Sequence, residues 1–120
     1  LLVPFTVRYK LREEYLKQSK YLGHVHFVNV EKDISVANMV AQHGIHVFNG
    51  EWPIRYKALR TCLLEVCTVA QATKQLTKND VTIHMPKIGC GLAGGDWETV
   101  SKIIIETLSE FQVYVYNGVF

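Results

Sequence analysis

His84-Met-Pro-Lys-Ile-Gly-Cys-Gly-Leu-Ala-Gly-Gly-Asp-Trp97 decides how this chain is read, because it joins three local signals without a gap. The short apolar run Val81 to Met85 reads as a strand. Four glycines, Gly89, Gly91, Gly94 and Gly95, then make a loop, and Asp96 before Trp97 is a helix-start signal with Asp96 as N-cap. A strand, a glycine loop and a helix N-terminus together can cradle an anion. Glycines let several backbone N–H groups converge on one phosphate, and the positive end of the helix dipole favours the same ligand. The same glycines also suit a tight β–α connection that merely turns the chain, and the residues alone leave both readings open. The spacing matches neither the P-loop signature nor the GxGxxG dinucleotide fingerprint.

Outward from this stretch, Trp97 to Glu110 is predicted to be a helix with Val100, Ile103, Ile104 and Leu108 facing inward, and Gln112 to Asn117 is the last strand. On the other side, Pro53 suits position N1 of a long helix reaching about Lys74, with Leu59, Cys62, Leu63, Val66 and Ala70 as its core stripe. A loop over His43 to Trp52 precedes it. His24 to Val30 and Ile34 to Gln42 read as strands joined by the charged turn Glu31-Lys-Asp33, the second strand small and apolar as if buried on both faces. Leu1 to Ser19 reads as helical, with Leu11, Tyr15 and Leu16 on one face. The order helix, β, β, α, β, α, β predicts an α/β domain, a three-layer α/β/α sandwich around a mostly parallel sheet. Ligands of such sheets bind outside the strand carboxyl ends, here Ala41 to His43, Pro86 to Gly95, and Tyr116-Asn117.

Composition narrows the class. With 120 residues, 48% of them hydrophobic, the chain is one domain with enough apolar matter for a core, which argues against disorder. Its apolar runs are too short to span a membrane, and Leu1 to Phe5 has no signal-peptide pattern, so no membrane partner is expected. The formal net charge is only +2, and the densest basic group, Lys10, Arg12, Lys17 and Lys20, is interrupted by Glu13 and Glu14. That is the pattern of a solvated helix face, and nucleic acid is not the expected partner. Three cysteines, Cys62, Cys67 and Cys90, lack metal spacing and fit a reduced, intracellular setting, cytoplasmic with the nucleus left open. His24, His26, His43, His46 and His84 have no third ligand at a motif spacing, so neither metal nor cofactor is expected.

Three blocks carry a family resemblance: Val36-Ala-Asn-Met-Val-Ala-Gln-His-Gly44, Pro53-Ile-Arg-Tyr-Lys-Ala-Leu59 and, above all, Met85-Pro-Lys-Ile-Gly-Cys-Gly-Leu-Ala-Gly-Gly-Asp-Trp-Glu98. In order and spacing they resemble the macro domain, the ADP-ribose-recognising α/β/α module, and within it the proteins that process ADP-ribose-1''-phosphate. The resemblance implies that the backbone over Ile88, Gly89, Cys90, Gly91, Leu92, Ala93, Gly94 and Gly95 wraps the diphosphate and distal ribose. It implies that Gln42 lies at the same site, and that Tyr116 and Asn117 lie at the adenine end, where stacking on an aromatic contributes about 1–3 kcal/mol per base in nucleic-acid systems. Packing on the sheet is the alternative for Tyr116. Macro domains begin with two strands and an asparagine- and glycine-rich ligand loop that have no counterpart here, so the chain is expected to be one macro-like domain, N-terminally incomplete.

The resemblance also bears on chemistry. The subfamily that removes ADP-ribose from glutamate uses a lysine and an aspartate where this chain has Gln42 and Ala93. Glutamine forms no Schiff base and alanine is no general base, so that mechanism is not expected. The candidate chemistry is phosphate release from ADP-ribose-1''-phosphate, with His43 and then Asp96 as catalytic candidates. N-capping is the alternative role for Asp96, and a loop histidine without a role is the alternative for His43. Trp52 and Phe48 could close over the ribose or pack on the neighbouring helix, and Arg55 could reach a phosphate, be a first-turn surface arginine or orient loop carbonyls. The expected ligand is therefore ADP-ribose or ADP-ribose-1''-phosphate, free or on an ADP-ribosylated protein. The alternative is a non-catalytic, partner-binding or structural remnant of the fold.

Overall fold

The structure, a computed structural model, describes residues 22–42, 47, 50–91 and 93–117. The helix expected over Leu1 to Ser19, and His43, Phe48 and Leu92, lie outside the described residues.

Two strands open the described chain, β1 (Val25–Glu31) and β2 (Ile34–Met39), and they pair antiparallel from Val25 opposite Met39 to Glu31 opposite Ile34. The two residues between them, Lys32 and Asp33, allow only a hairpin, because a parallel return needs a crossover of a dozen or more residues. The pairing shifts between Asn29 and Glu31. Helix α1 (Tyr56–Thr77) follows, then β3 (Thr82–Pro86), helix α2 (Trp97–Leu108) and β4 (Gln112–Tyr116). β3 and β4 pair in parallel, Thr82 opposite Gln112 through Pro86 opposite Tyr116, with α2 as the crossover. The described ladders are thus one antiparallel and one parallel, where the element order predicted a mostly parallel sheet.

Helix α1 buries Ala58, Leu59, Cys62, Leu63, Val66 and Ala70, the stripe that the 3.6-residue period predicts. It starts at Tyr56 instead of Pro53, because Ile54 is drawn into a bridge with Gln42 and Arg55 is extended (φ −124°, ψ 104°), their N–H groups donating to the carbonyls of Ala93 (3.0 Å) and Ala41 (2.9 Å). It ends at Lys78, in the left-handed region at φ 61°, whose N–H returns to the Lys74 carbonyl. Helix α2 begins where Asp96 predicts: the Asp96 carboxylate accepts from the Thr99 N–H at 3.2 Å and the Thr99 hydroxyl at 2.9 Å. Its buried face is Val100, Ile103, Ile104 and Leu108, joined by Thr107, whose hydroxyl donates to the Ile103 carbonyl at 2.7 Å.

One core joins these elements. Ala37, Met39 and Ala41 from β2 and its exit meet the α1 stripe, Ile83 and Met85 of β3, Ile88 and the α2 face. Full burial of a Leu, Ile, Val or Met side chain stabilises by about 1.5–3 kcal/mol, so this cluster ties both strand pairs to the two helices. Arg60 and Glu106 close the surface between the helices at 2.8 Å. No helix among the described residues is long and apolar enough to cross a membrane.

Candidate functional site at the exit of β3

β3 leaves the sheet at Pro86, and Ile88, fully buried, anchors the first limb of the glycine loop in the core. The second limb returns to the first through two hydrogen bonds, from the Gly94 N–H to the Gly91 carbonyl (3.0 Å) and from the Gly95 N–H to the Gly89 carbonyl (2.6 Å). Gly95 has to be glycine, because a Cβ there would run into the Gly89 carbonyl, with its carbon only 3.0 Å away. Gly94 sits at φ 78° and lies under the Trp52 indole, whose Cγ would be 2.6 Å from an added Cβ. Ala93, fully buried, faces the core. Gly91 is the open point of the loop: it is exposed, and an added Cβ would meet nothing within 4 Å.

The loop is stitched to the exit of β2 by the segment before α1. Ile54 bridges to Gln42 and donates its N–H to Ala93, while Arg55 donates its N–H to Ala41. The Tyr56 hydroxyl accepts the Asp96 N–H at 3.0 Å and so ties the start of α1 to the start of α2. Gln42 and Ala93, remote in sequence, therefore both border Ile54, and both side chains are buried. The Arg55 guanidinium donates to the carbonyls of Trp52 and, at 3.1 Å, Ile54, and pairs with Glu51 at 3.1 Å. Of its three expected roles, orienting loop carbonyls is the one this geometry displays.

Asp96 is exposed, and its Oδ2 takes both bonds from Thr99, so capping engages one of its two oxygens. Cys90, half-buried, donates its thiol to the Ile88 carbonyl at 3.4 Å; burial, then the nearby Asp96 charge, push its pKa up. A thiol held protonated in this way is a poor nucleophile. Lys87 flanks the loop with its Nζ 5.5 Å above the Trp97 ring, placing a cation beside the start of the glycines.

Tyr116 and Asn117 lie exposed at the carboxyl end of β4, with Tyr116 paired opposite Pro86 and so beside the start of the loop. Sequence reasoning missed their neighbour. His84 shares a hydrogen bond through Nδ1 with the Tyr116 hydroxyl (2.7 Å) and one through Nε2 with the Thr82 hydroxyl (2.9 Å). Its ring stacks on Tyr114 at 4.9 Å and on Tyr116 at 5.8 Å between centroids. The signal was present: Thr82, His84 and Pro86 alternate onto one face of β3, and the parallel register sets Tyr114 and Tyr116 against them.

A cleft of about 440 Å³ opens beside the loop, between Trp52, Arg55, Tyr56, Lys57 and Gly94. A second, of about 490 Å³, lies at the opposite end of β3, where Lys32, Asp33, Asn79 and Asp80 surround it. The first is the relevant one, since ligands of parallel strands bind at their carboxyl ends. Among the described residues no three His, Cys, Asp or Glu side chains gather to hold a metal.

No family model and no curated protein matches the chain. Solved structures do. A Bacteroides thetaiotaomicron protein of unknown function is 38% identical, with a TM-score of 0.77 over 96% of this chain and 85% of its own. A second crystal structure of a protein from the same organism is 37% identical, with a TM-score of 0.76 over 96% and 87%. The macrodomain of Thermus aquaticus DarG has a TM-score of 0.58 at 15% identity over 98% of this chain and 89% of its own. That of Mycobacterium tuberculosis DarG has 0.59 at 13% over the same shares. At that identity the likeness is one of fold: this is a mixed α/β domain with a macro-like fold.

Proposed function

The chain belongs to the family of the two Bacteroides thetaiotaomicron proteins, and from its macro-like fold and its glycine loop we propose that it binds ADP-ribose, with the loop at the exit of β3 on the diphosphate. The observation that carries this reading is the loop itself. It stands at the carboxyl end of a parallel strand and at the N-terminus of α2, rigid on its core side and open at Gly91, with Lys87 alongside. On this reading the backbone of Ile88 to Gly95 contacts the diphosphate and distal ribose, Gln42 lines the site floor, and Tyr116 and Asn117 take the adenine end. The full domain is then the three-layer sandwich of macro proteins, working inside the cell.

We extend the reading to ADP-ribose-1''-phosphate, free or as part of an ADP-ribosylated protein, as the ligand whose terminal phosphate is removed. His43 is the acid–base candidate. Asp96, whose Oδ1 lies outside its capping bonds, is the second candidate, to orient a water. Gln42 and Ala93 leave no group for the lysine-dependent route. Calorimetry with ADP-ribose and AMP tests the binding: ADP-ribose should bind in the micromolar range and AMP more weakly, and no heat with ADP-ribose removes the proposal. Phosphate release should fall in His43→Ala with ADP-ribose affinity retained; unchanged turnover rejects His43.

One observation favours a second reading, a non-catalytic remnant of the fold that binds a protein partner. The amides of Gly94 and Gly95 are spent on loop carbonyls, and Trp52 lies on Gly94. Under that reading loop substitutions change stability alone.

A further inference from the structure

Trp52 is 57% exposed, yet its ring rests on the glycine loop. The backbone beneath it is pinned: the Trp52 carbonyl accepts from Arg55, Arg55 is held by Glu51, and Ile54 is bonded to Ala93. The side chain is in a different position. It covers Gly94, and it borders the cleft of about 440 Å³ formed with Arg55, Tyr56 and Lys57. A structural tryptophan is mostly buried; this one covers a single point of a loop and leaves over half of its surface in water. Rotation about its side-chain bonds would carry the ring off Gly94 without breaking any of these backbone bonds.

We propose that Trp52 is a removable cap that regulates access to the loop: its ring closes the Ala93–Gly95 limb in the free chain and moves into the adjoining cleft when a diphosphate ligand occupies the loop. This rests on the ADP-ribose reading above. A ligand that must first displace the ring binds with its intrinsic affinity reduced by the uncapped fraction, so removing the ring should raise the apparent affinity. The cap also explains why the limb with φ 78° at Gly94 needs a glycine on its outer surface: the ring takes the space of a side chain.

The test uses ADP-ribose and two variants. Trp97→Phe leaves Trp52 as the sole tryptophan, since the chain has 2. In that protein ADP-ribose should shift the emission to the blue and lower quenching by acrylamide as the ring leaves Gly94 for the cleft. In the natural background Trp52→Ala should bind ADP-ribose about fivefold more tightly by calorimetry, at unchanged circular dichroism. Weaker binding by Trp52→Ala overturns the cap and makes the ring a ligand contact. Binding by Trp97→Phe with unmoved emission also overturns it and leaves the ADP-ribose reading standing. Absence of binding by the parent and both variants removes that reading, and the cap with it.

Discussion

The two limbs of the glycine loop are built from the same residue types and serve opposite ends. The Ala93–Gly95 limb spends its amides inward, on Gly91 and Gly89, and lies under Trp52. The Ile88–Gly91 limb sinks one side chain, Ile88, into the core and turns Gly91 to open space. Glycine is required on the first limb because backbone and ring press on it; on the second, Gly89 is held to glycine by its φ of 74° and by Ile54, 2.9 Å from an added Cβ, and Gly91 alone has room for a ligand. Fold stability should live on the first limb, and recognition should begin at Gly91 on the second and extend to the first only once Trp52 has moved.

The largest effect should come from Gly95→Ala. Its Cβ meets the very carbonyl that accepts the Gly95 amide, and backbone cannot step aside as a side chain can, so the loss should be about 3 kcal/mol in denaturant unfolding. A variant as stable as the parent would dissolve the distinction between the limbs. The core at the exit of β2 offers the next effect. Burial pushes the Cys62 thiol up to about 12, from 9.0 in an open chain. Because the folded pKa is the higher one, this contribution is intact below pH 9.0 and is lost as pH rises toward 12. Stability should therefore fall by about 1.4 kcal/mol per pH unit above that point, and Cys62→Ala should remove that part of the slope. Asp96→Ala should cost about 1 kcal/mol through loss of the α2 cap. It should also lower phosphate release if Asp96 orients water, which a pure cap would not. The smallest change in stability, within about 0.5 kcal/mol, belongs to Gly91→Ala, where nothing is touched. Its ADP-ribose affinity should nonetheless fall about tenfold, because the new methyl group stands where the diphosphate would approach. Equal affinity would move recognition off this limb.

What was legible in the sequence was what local physics controls. The α1 stripe from Leu59 to Ala70 and the α2 face from Val100 to Leu108 follow the helical period, and Asp96 caps as its side chain dictates. The hairpin was legible too, in the two residues between β1 and β2, but the count of alternating elements was given more weight than that short turn. Pro53 misled for a non-local reason. Its ring suits a helix start, yet Ile54 bridges to Gln42 and Arg55 stays extended, and those partners cannot be read from neighbours in the chain. Trp52 on Gly94, and His84 between Tyr114 and Tyr116, are likewise contacts across tens of residues. The glycine loop at the exit of β3 was legible in the sequence, while its closed limb, its tether through Ile54 and the Trp52 ring on Gly94 became visible only in three dimensions.

The central claim is that the open limb, and not the closed one alone, receives the diphosphate. Backbone amide NMR during an ADP-ribose titration addresses it most directly. The amides of Gly89, Cys90 and Gly91 should shift in proportion to occupancy, with Gly94 following as Trp52 departs. Saturable binding that leaves Gly89 to Gly91 unmoved, or a spectrum indifferent to the ligand, would contradict the account.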